Sequence, residues 1–410
     1  VLLMTPGLAF FYGGMVRAKS VLNMMMMSFL AMAIVPVLWV LYGYSMAFDD
    51  DLGGGLLGGF GKVGLRGVTQ DSLAGTVPEY VFIGFQVMFA IITVALISGA
   101  IADRAKFLGW AVFVVVWVSL VYFPVAHWVF AFDGDTTKGG WIANQLGALD
   151  FAGGTAVHIN AGAAGLALAL VLGKRVGWKR DPMRPHNLPF VLLGAGLLWF
   201  GWYGFNAGSA LGANGLAGLA FVNTTVAAAT AALGWLLVET IRDKKGTSLG
   251  AASGAIAGLV AITPACAAIS PLGSIALGLV AGAACALAVG LKYKLGIDDS
   301  LDVVGIHLVG GIAGTLLIGF LATKGNAGLD GLLYGGNAGL LGKQAVAAGA
   351  VLAYSFVLTY LIGKLIDVTI GFRVSEEDEV SGIDLTEHLE TGYDFTSTSG
   401  GARSLTGSKI

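Results

Sequence analysis

Apolar residues occupy this chain in runs of about twenty, a length that lets one helix cross the hydrocarbon core of a bilayer. Charged residues, glycine and proline separate the runs. Eleven runs are predicted to form membrane helices: 1–16, 21–47, 79–101, 108–131, 152–172, 188–208, 216–241, 249–268, 272–293, 303–323 and 344–371. The first is too short to span alone, and we expect it to be the end of a first helix whose start is missing from this chain.

The composition indicates an all-α polytopic membrane protein. The chain is 56% hydrophobic and 12% charged, whereas soluble domains are roughly 25% charged. A formal net charge of -2, without a basic patch rich in aromatic residues, argues against nucleic acid as a partner. Cys266 and Cys285 both lie in apolar segments, which favours small packed thiols over a metal site or a disulfide, and no cofactor is expected.

Basic residues are distributed unequally between the two sides on which the loops fall. Fourteen lie on one side: Arg17, Lys19, Arg104, Lys106, Lys174, Arg175, Lys179, Arg180, Arg184, Arg242, Lys244, Lys245, Lys292 and Lys294. Five lie on the other: Lys62, Arg66, Lys138, Lys324 and Lys343. The richer side is predicted to be cytoplasmic, which places the N-terminus outside the cell membrane and the C-terminus inside.

Two histidines lie deep inside apolar runs, and each begins the pattern His-x3-Gly-x-Ala-Gly. The copies begin at His158 in the fifth run and at His307 in the tenth. This spacing over eleven runs predicts two inverted five-helix repeats plus one extra helix. A titratable ring in a bilayer is costly and usually functional. We therefore expect the two rings to meet at one shared site, in preference to two unrelated core histidines.

An aspartate precedes each histidine: Asp150 begins the fifth run and Asp302 begins the tenth. Each carboxylate can accept hydrogen bonds from backbone N–H groups at a helix start, and this structural role is the favoured interpretation of both. Asp150 lies deeper in apolar sequence. There a fixed negative charge could instead favour a passing cation.

Aromatic side chains gather near the ends of several runs, including Phe85, Phe89, Phe130 and Phe205. Interfacial belts account for many such residues. Together with the hydroxyl of Ser209, however, a cluster of ring faces would suit a small cation that carries N–H donors. The sequence shows neither an activated nucleophile nor a His-Glu-x-x-His string, so an enzyme is not expected.

Longer strings around these residues resemble the ammonium transporter family over nearly the whole chain. They are, in order, Pro6–Gly14, Asp150–Asn160, Gly201–Ser209, Thr263–Cys266 and Asp302–His307. The resemblance implies a homotrimer of eleven-helix protomers, each with a narrow pore between its two halves. The implied substrate is ammonium or ammonia, with methylammonium as a mimic. Ser209 and the string around it look less like the Rhesus-type gas channels.

The same resemblance implies a role for each site residue. From the outside inward these are the recruitment residues Phe89 and Ser209, the stacked gate Phe85 and Phe205, the pore-wall Trp202, and the paired imidazoles His158 and His307. Asp150 is implied to be the essential outer aspartate. The family often has tryptophan as a third recruitment aromatic. Here Phe130 is the candidate in register, and Trp141 in the following loop is a second one.

The chain turns polar after the last run, which divides it into a membrane domain, 1–371, and a cytoplasmic tail, 372–410. The string from Gly371 to His388 resembles an ordinary transporter tail, which favours transport over ammonium sensing. The resemblance further implies that the tail packs under the trimer and that a PII-type signal protein can close the inner mouth. Thr386 lies where some relatives are thought to be phosphorylated, although an exposed threonine is more often merely solvated.

Overall fold

The computed structural model describes residues 1–134 and 137–393, and helices make up most of it. The end of the predicted tail, 394–410, lies outside the described residues. The apolar helices are α1 (Met4–Met15), α2 (Ala18–Phe48), α3 (Glu79–Ile101), α4 (Phe107–Phe130), α5 (Gly154–Leu172), α6 (Leu188–Ala210), α7 (Gly215–Asp243), α8 (Ser248–Ile262), α9 (Pro271–Leu295), α10 (Val304–Leu321) and α11 (Gly339–Thr369).

The fold class predicted from the apolar runs is confirmed. Within the described residues, nine of these helices are long and apolar enough to cross a membrane, and α1 and α8 are shorter. The predicted run 249–268 is helical only to Ile262. Pro264 follows closely, and its ring nitrogen has no hydrogen to continue the helical ladder. Outside the helical bundle, Leu73–Ala74 and Val77–Pro78 form a small antiparallel hairpin.

Helices that occupy equivalent places in the two predicted halves are neighbours in space. The first helix, α1, packs along the sixth, α6, and the fifth, α5, packs against the tenth, α10. Both α5 and α10 begin with a π-helical turn that contains the histidine, at Gly154–Ile159 and Val304–Leu308. The halves therefore share local geometry as well as the histidine pattern.

Charged residues at one end of the bundle form a buried ion-pair network, and we name this the basic end. Arg175 donates to both carboxylate oxygens of Asp298, at 2.9 and 2.8 Å, and to Asp103 at 3.1 Å. The Arg104 guanidinium is fully buried and donates to the carbonyl oxygen of Asp298 at 2.7 Å. Burial raises the pKa of Asp298, but Arg175 outweighs that effect, so the pKa lies below its usual value.

The segment after α11 folds back onto this basic end. Asp384 accepts hydrogen bonds from the backbone N–H groups of Leu22 and Asn23, at 2.9 and 2.8 Å, near the start of α2. Glu379 pairs with Arg373 at 2.8 Å and accepts from the N–H of Val176 at 2.7 Å. Two short helices, Glu376–Ser381 and Ile383–His388, carry these carboxylates.

The Arg175–Asp298 pair provides a test of this buried network. Asp298→Ala is expected to lower the free energy of unfolding by about 3–5 kcal/mol, because it removes the carboxylate that accepts two hydrogen bonds from a buried guanidinium and leaves it only the contact with Asp103. Thermal unfolding of the purified protein in detergent measures the change. Since the folded-state pKa is lowered, the difference from wild type is full above about pH 4 and shrinks as the pH falls through that lowered pKa.

Asp243→Ala is the matched control, because Asp243 pairs with Arg242 at 2.7 Å on an exposed surface. Exposed ion pairs contribute little to stability. Equal unfolding temperatures for the two variants would contradict a stabilising role for the buried network.

Candidate functional site

The two motif histidines meet in the interior of the bundle, as their shared pattern predicts. The Nδ1 atoms of His158 and His307 lie 3.2 Å apart, and the rings are nearly parallel, with an interplanar angle of 19°. Both side chains are buried. One ring can donate to the other through these nitrogens, and that leaves the remaining nitrogen of each ring for other contacts.

Motif glycines make this meeting possible, because each lies against the helix that carries the other histidine. A Cβ on Gly162, four residues after His158, would lie 2.5 Å from the backbone nitrogen of Leu308. A Cβ on Gly311, four residues after His307, would lie 3.0 Å from Ile159 and 3.2 Å from the Cβ of His158. The glycines of the two patterns thus set how closely α5 and α10 approach.

One face of the histidine pair is lined by Trp202 from α6. The Trp202 ring stacks on His158 with 5.4 Å between centroids, and its indole N–H donates to Thr263 at 2.8 Å. His158 Nε2 is buried, and no group in the described part of the chain forms a hydrogen bond with it. This nitrogen is therefore available to a small polar molecule.

A stack of two phenyl rings lies next to the histidines, and its members differ from the predicted pair. Phe205 lies 6.1 Å from His158, and the ring stacked on it, at 4.1 Å, is Phe89. Phe85 contacts Phe89 edge-on at 4.8 Å. The prediction of Phe85 as the partner of Phe205 was wrong. Phe85 and Phe89 lie about one turn apart on the same face of α3, separated by about 6 Å along the helix axis. Only the packing of α3 against α6 decides which of the two rings reaches Phe205.

Beyond the stack, a cavity of about 560 Å³ opens at the end of the bundle opposite the basic end, and we name it the aromatic cavity. Phe85, Phe89, Phe130 and Ser209 all line it. Ser209 donates to the carbonyl oxygen of Phe205 at 2.8 Å, so its hydroxyl oxygen can still accept a hydrogen bond.

Of the two candidates for the third recruitment aromatic, Phe130 lies in the aromatic cavity. Its ring is 6.1 Å from Phe89, in an edge-on arrangement. Trp141 packs instead against Trp128 at 5.8 Å and is not among the residues that line the cavity.

Asp150 accepts hydrogen bonds at the start of α5, in agreement with its favoured interpretation. The backbone N–H groups of Gly153, Gly154 and Thr155 donate to its carboxylate at 2.8, 2.6 and 2.7 Å, and the hydroxyl of Thr155 donates as well. With its acceptor positions used in this way, Asp150 fixes the π-helical turn that carries His158.

The equivalent residue before α10 is Asp299, and the prediction that Asp302 caps this helix was wrong. Asp299 accepts from the N–H groups of Val303 and Val304 at 3.1 and 2.8 Å. Asp302 has a left-handed backbone, with φ of 62°, and pairs with Lys292 at 2.6 Å. Spacing could have identified Asp299, because it precedes His307 by eight residues, as Asp150 precedes His158.

Residues 1–134 and 137–393 contain no group of three or more His, Cys, Asp or Glu side chains that could hold a metal ion. Cys266 and Cys285 are free and fully buried. Their Sγ atoms contact the carbonyl oxygens of Thr263 and Ile306 at 3.7 and 3.8 Å. Both thiols pack as small side chains.

The close crossing of α5 and α10 can be tested at Gly162. Gly162→Ala places a methyl group against backbone, and such overpacking typically costs about 1–3 kcal/mol. We expect a lower unfolding temperature in detergent. Gly196→Ala is the matched control, because a Cβ there meets nothing within 4 Å. If the two variants unfold at the same temperature, the contact of Gly162 with α10 is not what limits the approach of the helices.

The chain is similar to known proteins over most of its length. Residues 1–393 match the model of the Ammonium Transporter Family. An ammonium transporter of Mycobacterium tuberculosis is 61% identical over 424 residues, covering 98% of this chain and 89% of the relative. The crystal structure of Saccharomyces cerevisiae Mep2 is similar with a TM-score of 0.84 at 35% identity, covering 92% of this chain and 85% of that chain.

A structure titled Sensor Amt Protein is also similar. Its TM-score is 0.87 at 29% identity, and the match covers 94% of this chain and 95% of that chain.

Proposed function

The chain belongs to the ammonium transporter family, and on that premise we propose that it moves ammonium nitrogen across a cell membrane as neutral ammonia. The observation that carries this proposal is the contact of His158 with His307, buried beneath the stacked rings of Phe89 and Phe205. Polar groups in such a position suit a small neutral molecule that can both donate and accept hydrogen bonds.

Desolvation favours ammonia over ammonium as the species that passes the histidines. The idealised Born cost of moving an ammonium-sized ion into a low-dielectric interior is on the order of 20 kcal/mol. A desolvated cation–π contact returns about 2 kcal/mol. Aromatic rings can therefore concentrate the cation at the mouth, but they cannot carry it through an apolar passage.

Deprotonation costs far less than transferring the cation. Ammonium has a pKa of roughly 9, so forming ammonia at pH 7 costs about 3 kcal/mol. Neutral imidazoles then offer ammonia a donor or an acceptor along its path. The His158 ring lies 6.1 Å from that of Phe205, and its Nε2 has no hydrogen-bond partner among the described residues. Potassium cannot lose a proton, and selectivity follows from that difference.

The recruitment step is assigned to the aromatic cavity. Phe85, Phe130 and the hydroxyl oxygen of Ser209 receive the cation there, through ring faces and one hydrogen bond. Phe89 and Phe205 form the gate that separates this site from the histidines. Asp150 contributes by holding the turn that carries His158, with its charge stabilised by backbone N–H groups.

Three further features extend the proposal to the whole chain. Residues 1–371 form the transport domain and 372–410 a cytoplasmic tail, with the basic end inside the cell. Three copies assemble into a homotrimer. A PII-type signal protein binds at the cytoplasmic mouth, where the Asp384 and Glu379 contacts hold the tail against the bundle.

Ammonium sensing is a second candidate function, supported by the similarity to the structure titled Sensor Amt Protein. In that function ammonium binds in the aromatic cavity and changes the contacts of the tail, with little flux. The two functions differ in one measurable quantity, the amount of nitrogen transported per protein molecule.

Uptake of labelled methylammonium into proteoliposomes tests transport directly. We expect uptake that ammonium inhibits and potassium does not, because ammonium shares both the N–H donors and the deprotonation step of methylammonium, and potassium has neither. Recording current during uptake separates the two fates of the proton, since return to the outside gives no current. Absence of uptake above protein-free vesicles would leave sensing as the better proposal.

His158→Ala tests the role of the paired rings. The variant is expected to lose most methylammonium uptake, or to lose its discrimination against potassium, because one donor-acceptor group is removed from the passage. His186→Ala is the control, since His186 bonds to the carbonyl oxygen of Val16 outside the passage. Gel filtration establishes that both variants remain folded. Unchanged uptake and selectivity in His158→Ala would exclude this residue from the conduction path.

A further inference from the structure

The aromatic cavity contains a buried carboxylate that the transport proposal does not use. Glu79 is the first residue of α3, and its side chain is only 10% exposed. Tyr44 donates its hydroxyl to Glu79 at 2.8 Å, and Lys62 donates to the same carboxylate oxygen at 2.7 Å. All three residues line the cavity together with Phe85 and Ser209.

The Lys62 ammonium group is held by the same kinds of contact that a free ammonium ion would need. Its Nζ lies 5.5 Å from the centroid of the Tyr44 ring, within cation–π range, and it forms a charge-assisted hydrogen bond with Glu79. The backbone N–H of Lys62 donates to Ser45 at 3.0 Å, which fixes the base of the side chain. A primary alkylammonium is therefore already bound in this part of the cavity.

An unpaired acceptor lies further along the same helix face. Gln86 is seven residues after Glu79, two turns deeper in α3. Gln86 is among the residues that line the aromatic cavity. Its side-chain oxygen is buried and has no hydrogen-bond partner in the described part of the chain. A cation with several N–H donors could satisfy it. Glu79, Gln86 and Ser209 thus provide acceptors from the rim of the cavity to the phenyl stack.

We propose that Glu79 and the Tyr44 ring form a second cation site in the aromatic cavity, further from the phenyl stack than the recruitment site, and that this site binds ammonium or methylammonium. Lys62, which is tethered beside it, competes with the free cation for this site. This inference rests on the proposed transport function. Lys62 is about one-third exposed at 34%, against 10% for Glu79, so the lysine can leave the pair into solvent. The pair is thus open to solvent on the lysine side, where the ammonium group can exchange with a free cation.

The competition predicts the direction in which apparent affinity changes. A tethered group acts at a high effective concentration, so it weakens the apparent binding of every free cation at the same carboxylate. Removing the Lys62 charge frees Glu79 for ammonium and also removes a positive charge from the approach to the recruitment site. Neither effect touches the passage, so the maximal rate should not change.

Methylammonium uptake kinetics in proteoliposomes test the proposal. Lys62→Met is expected to lower KM by about three- to tenfold, the range that one cation–π or charged contact supplies, with the maximal rate unchanged. Lys138→Met is the matched control: Lys138 lines the same cavity and is 79% exposed, but its partner is Asp133 at 3.8 Å. Its KM should change by less than about twofold.

Glu79 is tested in the same assay. Glu79→Gln removes the carboxylate and leaves the Lys62 charge in the cavity, so KM is expected to rise. The double variant Lys62→Met with Glu79→Gln should have a KM at or above that of wild type, because it lacks the carboxylate that would bind the cation and leaves the net charge of the cavity unchanged. Unfolding temperatures in detergent establish that each variant keeps its fold.

The outcomes separate this inference from the function on which it rests. If wild type shows no methylammonium uptake that ammonium inhibits, the transport proposal itself fails. If wild type transports, an equal KM for Lys62→Met and Lys138→Met, or a KM below wild type in the double variant, overturns the second site alone.

Discussion

The crossing of α5 and α10 is the contact on which the rest of the site depends. At Gly162 the two helices approach so closely that a methyl group would meet the backbone of Leu308. At Gly311 a methyl group would meet the side chain of Ile159 and the Cβ of His158. Lipid provides no hydrophobic drive for helices to associate, so such contacts between small residues are a principal source of packing energy in membranes. The same approach brings His158 within hydrogen-bond distance of His307.

Polar groups in the interior are arranged so that most of them are used by the protein itself. Asp150 and Asp299 are occupied by backbone N–H groups at two helix starts, and the Trp202 indole N–H by Thr263. An unpaired polar group in an apolar interior carries a desolvation penalty. Within the described residues, His158 Nε2 is one of the buried polar atoms without a hydrogen-bond partner, so a small polar molecule bound there would relieve that penalty.

Charge is concentrated at the two ends of the bundle and avoided between them. At the basic end Arg175 and Asp298 are buried together, and the segment after α11 adds Glu379 and Asp384 to the same region. At the other end the charges line a cavity, where Lys62 pairs with Glu79 beside the Tyr44 ring. This distribution suits a protein that handles a cation at its surface and a neutral molecule in its interior.

The sequence by itself determined the eleven apolar helices and the pairing of His158 with His307. A bilayer requires long apolar helices and makes an intramembrane histidine conspicuous, so both signals are local and strong. It did not determine that Phe89, one turn deeper than Phe85, stacks on Phe205, or that Asp299 caps α10 while Asp302 pairs with Lys292. It also gave no sign that Lys62 would meet Glu79. These pairings depend on the relative depth and rotation of separate helices and loops, which only tertiary packing decides.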